Sequence, residues 1–169
     1  VWSATDKKPF VLDFRETAPA GVDVAAFERR PLPDAERGKL IGVPGEVAGL
    51  FELHRRFGKR SWKDVVAPAA RIAKRGFSVN KHLGGMLASY GKNLKIDPGI
   101  SFVFFPNGKP AAVGRRVFNF ALATTLERIG AQGPPAFYQG AVATEIVETA
   151  RKFGGALTLA ELAAYKPVE

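Results

Sequence analysis

The chain has 169 residues, none of them cysteine, and 46% are hydrophobic, so it can bury a sizeable core while disulfides, thiolate metal centres and cysteine nucleophiles are excluded from it. Its 25 basic and 16 acidic residues give a formal charge of +9, but the bases fall in short scattered groups (Lys7-Lys8, Arg29-Arg30, Arg55-Arg56 with Lys59-Arg60, Arg115-Arg116), which argues against nucleic acid as a partner. No segment approaches the roughly 20 apolar residues of a membrane-spanning helix, so no membrane contact is expected from these residues.

Val1 to Thr5 and Pro9 to Phe14, separated by the polar turn Asp6-Lys7-Lys8, predict a β-hairpin. The opening reads as the middle of a strand, which predicts that the chain is a piece of something longer. From Thr17 to Arg37, proline, glycine, alanine and charge without a sustained period predict a long irregular surface connection.

Helices follow. Val47, Leu50, Phe51 and Phe57 have helical spacing between Gly45 and the expected stop at Gly58. Ser61 with Asp64 resembles a capping box for a helix ending at Gly76, and Pro68 inside it predicts a kink or two short helices meeting near Ala67. Asn80 is an N-cap for a helix ending near Gly91. Ile100 to Phe105, β-branched and aromatic before Pro106-Asn107-Gly108, predicts a strand and turn. Asn119 caps a helix that stops near Gly133, another runs from about Ala141 to Gly154-Gly155, and Thr158 with Glu161 forms a capping box before Leu162 and Tyr165. The expected class is α+β, mostly helical after an N-terminal hairpin.

Few residues carry candidate chemistry. His54 and His82 stand without a partner at metal-ligand spacing, so no metal is expected, and His54 beside Arg55-Arg56 reads as a solvated helix-surface residue. Thr124-Thr125 lies within a helical pattern and reads as structural. The glycine-rich Gly42 to Gly49 lacks the lysine and hydroxyl residue of a phosphate loop, and reads as a turn into a tightly packed helix. Arg15 is different. It ends a predicted strand just before a proline-containing loop, and its planar fork of donors matches a carboxylate. From the residues alone, a salt bridge to Asp13 or Glu16 is the favoured reading.

Asp13-Phe14-Arg15-Glu16-Thr17-Ala18-Pro19, followed by Gly42-Val43-Pro44-Gly45 with Val47-Ala48-Gly49, closely resembles successive heavy-subunit motifs of the γ-glutamyltranspeptidases, or glutathione hydrolases. Later landmarks keep the same order. They are Pro68-Ala69 leading to Arg75-Gly76-Phe77-Ser78-Val79, Ala136-Phe137-Tyr138 with Gly140, and Gly154-Gly155 with Leu157-Thr158 and Leu162-Ala163-Ala164-Tyr165.

The resemblance implies that residues 1–169 are a partial heavy-subunit region of a single domain, part of the αββα sandwich of an N-terminal nucleophile hydrolase. It implies a self-cleaving precursor whose freed threonine forms a γ-glutamyl ester. Arg15 corresponds by motif to the arginine that binds the substrate α-carboxylate. The implied partners are glutathione or another γ-glutamyl compound, an acceptor amino acid, peptide or water, and the light subunit of the same precursor. No cofactor is implied, and the implied location is periplasmic or secreted. The nucleophilic threonine is expected beyond Glu169, so no catalytic residue is assigned here and the chain alone is expected to be inactive. Two alternatives stand beside this reading: a related amidase such as a cephalosporin acylase or poly-γ-glutamate depolymerase, and a non-catalytic module that retains the fold.

Overall fold

A computed structural model describes residues 1–28 and 31–169, apart from the side chains of Ala26 and Phe27, so the Arg29-Arg30 pair lies outside the described residues. The chain divides into two compact units, one formed by Val1–Lys63 with Arg128–Glu169 and the other by Asp64–Glu127.

The first unit opens with the expected hairpin in shortened form. Strands β1 (Trp2–Ser3) and β2 (Lys8–Pro9) pair antiparallel, with Trp2 opposite Pro9. The predicted continuation to Phe14 is not a ladder strand. Phe10 still exchanges bonds with Val1, and the chain after it runs singly, caught by isolated bridges Asp13↔Val168 and Thr17↔Val43. The irregular connection holds short 3-10 turns at Val24–Phe27 and Asp34–Leu40.

Helix α1 (Glu46–Phe57) follows as predicted, and Gly58 ends it in extended conformation. Helix α2 (Trp62–Arg75) begins here, belongs to the second unit from Asp64 onward, and runs on through Pro68. The expected break into two helices near Ala67 does not occur, because proline deletes one backbone donor while the rest of the helix keeps its own bonds. After α5 (Phe120–Gln132) the chain returns to this unit through α6 (Pro135–Tyr138), α7 (Gly140–Lys152) and α8 (Leu159–Ala164). The unit's core gathers Val43, Ala48, Tyr138, Ala143, Val147, Ala150, Leu157 and Leu162.

The second unit holds the hairpin of β3 (Phe77–Ser78) and β4 (Arg116–Val117) with α3 (Lys81–Leu94) and α4 (Pro98–Phe104). Asn80 caps α3 by accepting from the Leu83 N–H (2.8 Å), although the helix runs past Gly91 to Leu94. Asn119 likewise accepts from Leu122 N–H (2.9 Å) at the start of α5. The strand expected at Ile100 to Phe105 is a helix instead. Asp97 accepts from Ile100 N–H (2.7 Å) and Pro98 takes the first helical position, a start signal that outweighs the β-propensity of the run. The turn after it is present, with Asn107 and Gly108 both left-handed (φ 55° and 74°). This core contains Val79, Leu87, Phe105, Ala111 and Val117.

The described residues are thus α+β and mostly helical after a small N-terminal hairpin. No helix among them is long and apolar enough to cross a membrane.

Candidate functional site

Arg15 sits midway between the two bridges of the extended segment. Asp13 exchanges both backbone bonds with Val168 (2.7 and 2.8 Å), and Thr17 does the same with Val43 (3.3 and 2.8 Å). Between them the Arg15 N–H donates to Asp13 Oδ1 (2.9 Å), and the Tyr165 hydroxyl donates to the Arg15 carbonyl (2.9 Å). Its backbone therefore sits in a fixed frame while the side chain, 81% exposed, is free of packing. Residues Leu12 to Glu16 and Pro44 to Glu46 line a cleft of about 490 Å³ around it.

Both sequence readings of Arg15 meet here. Its Nε pairs with Glu16 Oε2 at 3.2 Å, whereas Asp13 touches only its backbone. An exposed pair of this kind is worth about 0–1 kcal/mol, so Glu16 does not lock the guanidinium against an incoming carboxylate.

The glycine-rich segment explains how the cleft floor comes so close. A Cβ on Gly45 would overlap the Phe14 carbonyl and the Tyr165 phenol, and one on Gly49 would enter the Phe14 ring. The turn-into-helix reading of Gly42 to Gly49 holds, and its purpose is close approach of α1 to the residue preceding Arg15.

Two tyrosines complete the frame, and sequence reasoning missed their role. Tyr138 donates to the Pro44 carbonyl (2.8 Å) and accepts from Ala48 N–H (3.2 Å), spanning the start of α1. Its ring lies stacked with Tyr165 at 6.0 Å and 5°. Burial pushes the Tyr165 phenol up, with the Asp13 and Glu16 carboxylates adding to the shift, so the hydroxyl keeps the proton it donates to Arg15. Both residues stood inside recognised landmarks. Only the aromatic-plus-hydroxyl chemistry of a buried tyrosine signalled more than core filling.

Arg56 ties the outer side of the frame. It pairs with Glu52 and with Glu169 Oε2 (2.8 Å) and lies 4.6 Å above the Phe10 ring. Arg55 and Arg56 together draw the Glu52 carboxyl down to about 2.

The remaining candidates fall to structural roles. His54 is half-buried rather than solvated: Nε2 lies 2.9 Å from the Arg60 carbonyl and its ring meets Trp62 edge-on at 5.3 Å. Trp62 occupies the surface that the helix pattern left to solvent. The Thr124 and Thr125 hydroxyls donate back to the Phe120 and Ala121 carbonyls (3.1 Å each), as expected of helix-interior threonines. No cluster of three or more metal-ligating side chains occurs among the described residues.

The sequence profile described as Gamma-glutamyltranspeptidase matches residues 1–169. The chain belongs to the γ-glutamyltranspeptidase family. Glutathione hydrolase 3 of Arabidopsis thaliana is 37% identical over 166 residues, covering 98% of the chain and 26% of that relative. The chain thus spans about a quarter of the length of such a relative. Among solved structures, the γ-glutamyltranspeptidase of Helicobacter pylori superposes with a TM-score of 0.90 at 27% identity, over 99% of this chain and 50% of that one. A cephalosporin acylase from Bacillus halodurans gives 0.79 at 27% identity, over 93% and 31%. The matched range includes the Arg15 segment, both tyrosines and the α8 capping box.

Proposed function

We propose that this chain is a heavy-subunit portion of a γ-glutamyl hydrolase and transferase, and that Arg15 binds the α-carboxylate of the γ-glutamyl donor. The observation that carries the reading is the exposed Arg15 guanidinium on a pinned backbone in an open cleft, within a chain that belongs to this family throughout. The substrate is glutathione or a related γ-glutamyl compound.

In this reading residues 1–169 are part of one N-terminal nucleophile hydrolase domain, periplasmic or secreted, completed by a light subunit from the same self-cleaving precursor. A threonine outside this chain attacks the γ-amide carbon, and its own α-amine takes the hydroxyl proton. The amide C–N bond breaks, the leaving amine is protonated, and a γ-glutamyl ester remains. Water or an acceptor amine then displaces the threonine oxygen and accepts the acyl group. The contribution of this chain is orientation, because a donor gripped at its α-carboxylate presents its γ-amide at a fixed distance. The chain alone is inactive in this proposal. The shared fold of the cephalosporin acylase supports a related amidase as the second reading, which differs in the amide cleaved.

The test compares kcat/KM for a γ-glutamyl donor and for the matching donor lacking its α-carboxylate, in the full-length enzyme and its Arg15→Ala variant. Loss of one partner from a desolvated charge pair costs about 2–5 kcal/mol, or roughly 30- to several thousand-fold. That loss is expected on the carboxylate-bearing donor only. Arg15→Lys, which keeps the charge without the fork, is expected to fall between wild type and alanine. Equal losses on both donors would mean that Arg15 serves only its pair with Glu16.

A further inference from the structure

We infer that α8 is a bracket for the substrate loop and that Tyr165, through its hydroxyl, is the positioning residue for Arg15. The inference rests on the carboxylate-grip reading of Arg15. Since the Arg15 side chain is 81% exposed, nothing packed around it fixes where the guanidinium stands. Its reach and direction are inherited from the backbone.

Besides the Thr17–Val43 pair, three ties hold that backbone from one place. The Tyr165 hydroxyl donates to the Arg15 carbonyl, the Glu161 Oε1 accepts from Ala20 N–H (2.6 Å), and Val168 pairs with Asp13. All three come from α8 and the chain just after it, and they grip the beginning, middle and end of residues 13–20. Glu161 and Tyr165 stand four residues apart, the spacing that puts two side chains on one side of a helix.

The bracket is itself anchored. Leu162, between the two, is fully buried in the first unit's core. The capping box is complete: Thr158 Oγ1 accepts from Glu161 N–H (3.2 Å), and Glu161 Oε2 accepts from Thr158 N–H (2.9 Å). Glu161 thus spends one oxygen on its own helix and the other on the loop. Tyr165 in turn lies against Tyr138, whose hydroxyl bridges Pro44 and Ala48. A group meant to read a carboxylate must be held within a fraction of an ångström, and a loop with Pro19 and no ladder of its own needs that hold supplied from outside.

The experiment uses the full-length enzyme with the same two donors. Tyr165→Phe keeps the stacked ring and removes only the hydroxyl, so a loss of one hydrogen bond's worth is expected, roughly 2- to 10-fold. It should appear in KM for the carboxylate-bearing donor, with kcat and the donor lacking the carboxylate nearly unchanged. In an Arg15→Ala background the same change should do nothing further, because no guanidinium remains to be placed. Equal loss on both donors, no loss on either, or a full additional loss in the Arg15→Ala background would each overturn the positioning role. Failure of the underlying reading is separate: Arg15→Ala by itself would then show no preference between donors, and the positioning role would fall with it.

Discussion

The two units spend their polar groups differently. In the first, hydroxyls and carboxylates reach across the sequence to hold backbone: Tyr165 to Arg15, Tyr138 to Pro44, Glu161 to Ala20. In the second, the side-chain bonds from Asn80, Asp97 and Asn119 are local caps that each start the helix next to them. Charge divides unevenly too. The second unit has nine basic and three acidic residues, net +6, which leaves 16 against 13, net +3, on the first, counted over the whole sequence. The second also exposes Phe102 (85%), Phe118 and Phe120 on one side, beside a cleft of about 420 Å³. Long-range polar ties accompany the loop that must be placed. The second unit has long-range ties of its own, from Arg116 to the Arg75 and Gly76 carbonyls (3.0 and 3.3 Å), but these join β4 to the end of α2.

The same substitution should break this comparison with opposite signs. Gly49→Ala puts a methyl group into the Phe14 ring, and overpacking of this kind costs about 1–3 kcal/mol. Phe14 precedes Arg15, so the displaced ring should also degrade the carboxylate preference of the donor pair. Gly85 lies within α3, where an added Cβ meets nothing within 4 Å. Gly85→Ala should therefore stabilise the chain by about 0.5–1 kcal/mol through helix entropy, without touching donor preference. Denaturant midpoints of the two variants, measured beside donor kinetics in the full-length enzyme, check both.

A cap removed from the second unit sharpens the contrast. Asp97→Ala deletes the acceptor for Ile100 N–H at the start of α4, and loss of such a cap costs about 0.5–2 kcal/mol. Because the Asp97 carboxylate serves the start of its own helix, the ratio of the two donors' kcat/KM should stay at its wild-type value. A changed ratio would show that the second unit takes part in placing Arg15.

How much of this was legible follows from the range of each signal. Caps and glycine stops act over a few residues, so Asn80, Asn119 and the Thr158-Glu161 box were readable in order, and Gly76 and Gly133 do take the left-handed φ their stops require (78° and 71°). The strand expected at Ile100 to Phe105 is overturned by a signal that is also local: Asp97-Pro98 starts a helix despite the β-propensity of the aromatic and β-branched residues after it. Helix α3 overran Gly91 because that glycine lies against the Phe105 ring, a packing reason to keep a glycine inside a helix. Arg15 was readable as a motif. Its frame was not, since the Tyr165 bond spans 150 residues and the Glu161 bond 141, and no periodicity links positions so far apart.

The smallest expected effect is a pH dependence confined to the first unit. Hydrogen bonds from Thr158, and then from the Ala20 N–H, hold the Glu161 carboxyl below its ordinary 4.5. A carboxyl lowered in the folded state stabilises that state fully above its unfolded value and loses the contribution as pH falls through the folded one. The bracket's grip on Ala20 should therefore loosen as pH falls below the carboxyl's ordinary 4.5 and through its lowered folded value, because a protonated carboxyl is a poorer acceptor for two backbone N–H groups. Glu52, held at about 2 by Arg55 and Arg56, should keep its pair with Arg56 within α1 while this happens. Amide exchange at Ala20, referred to Glu161→Gln to remove the intrinsic pH dependence of exchange, is the measurement. Protection in wild type should decline on acidification toward the level of the Gln variant, whose neutral amide offers the same oxygen without the charge. Protection that stays constant would mean that the Ala20 contact owes nothing to the ionised carboxylate, and that Tyr165 with the Asp13–Val168 and Thr17–Val43 pairs holds the loop without it.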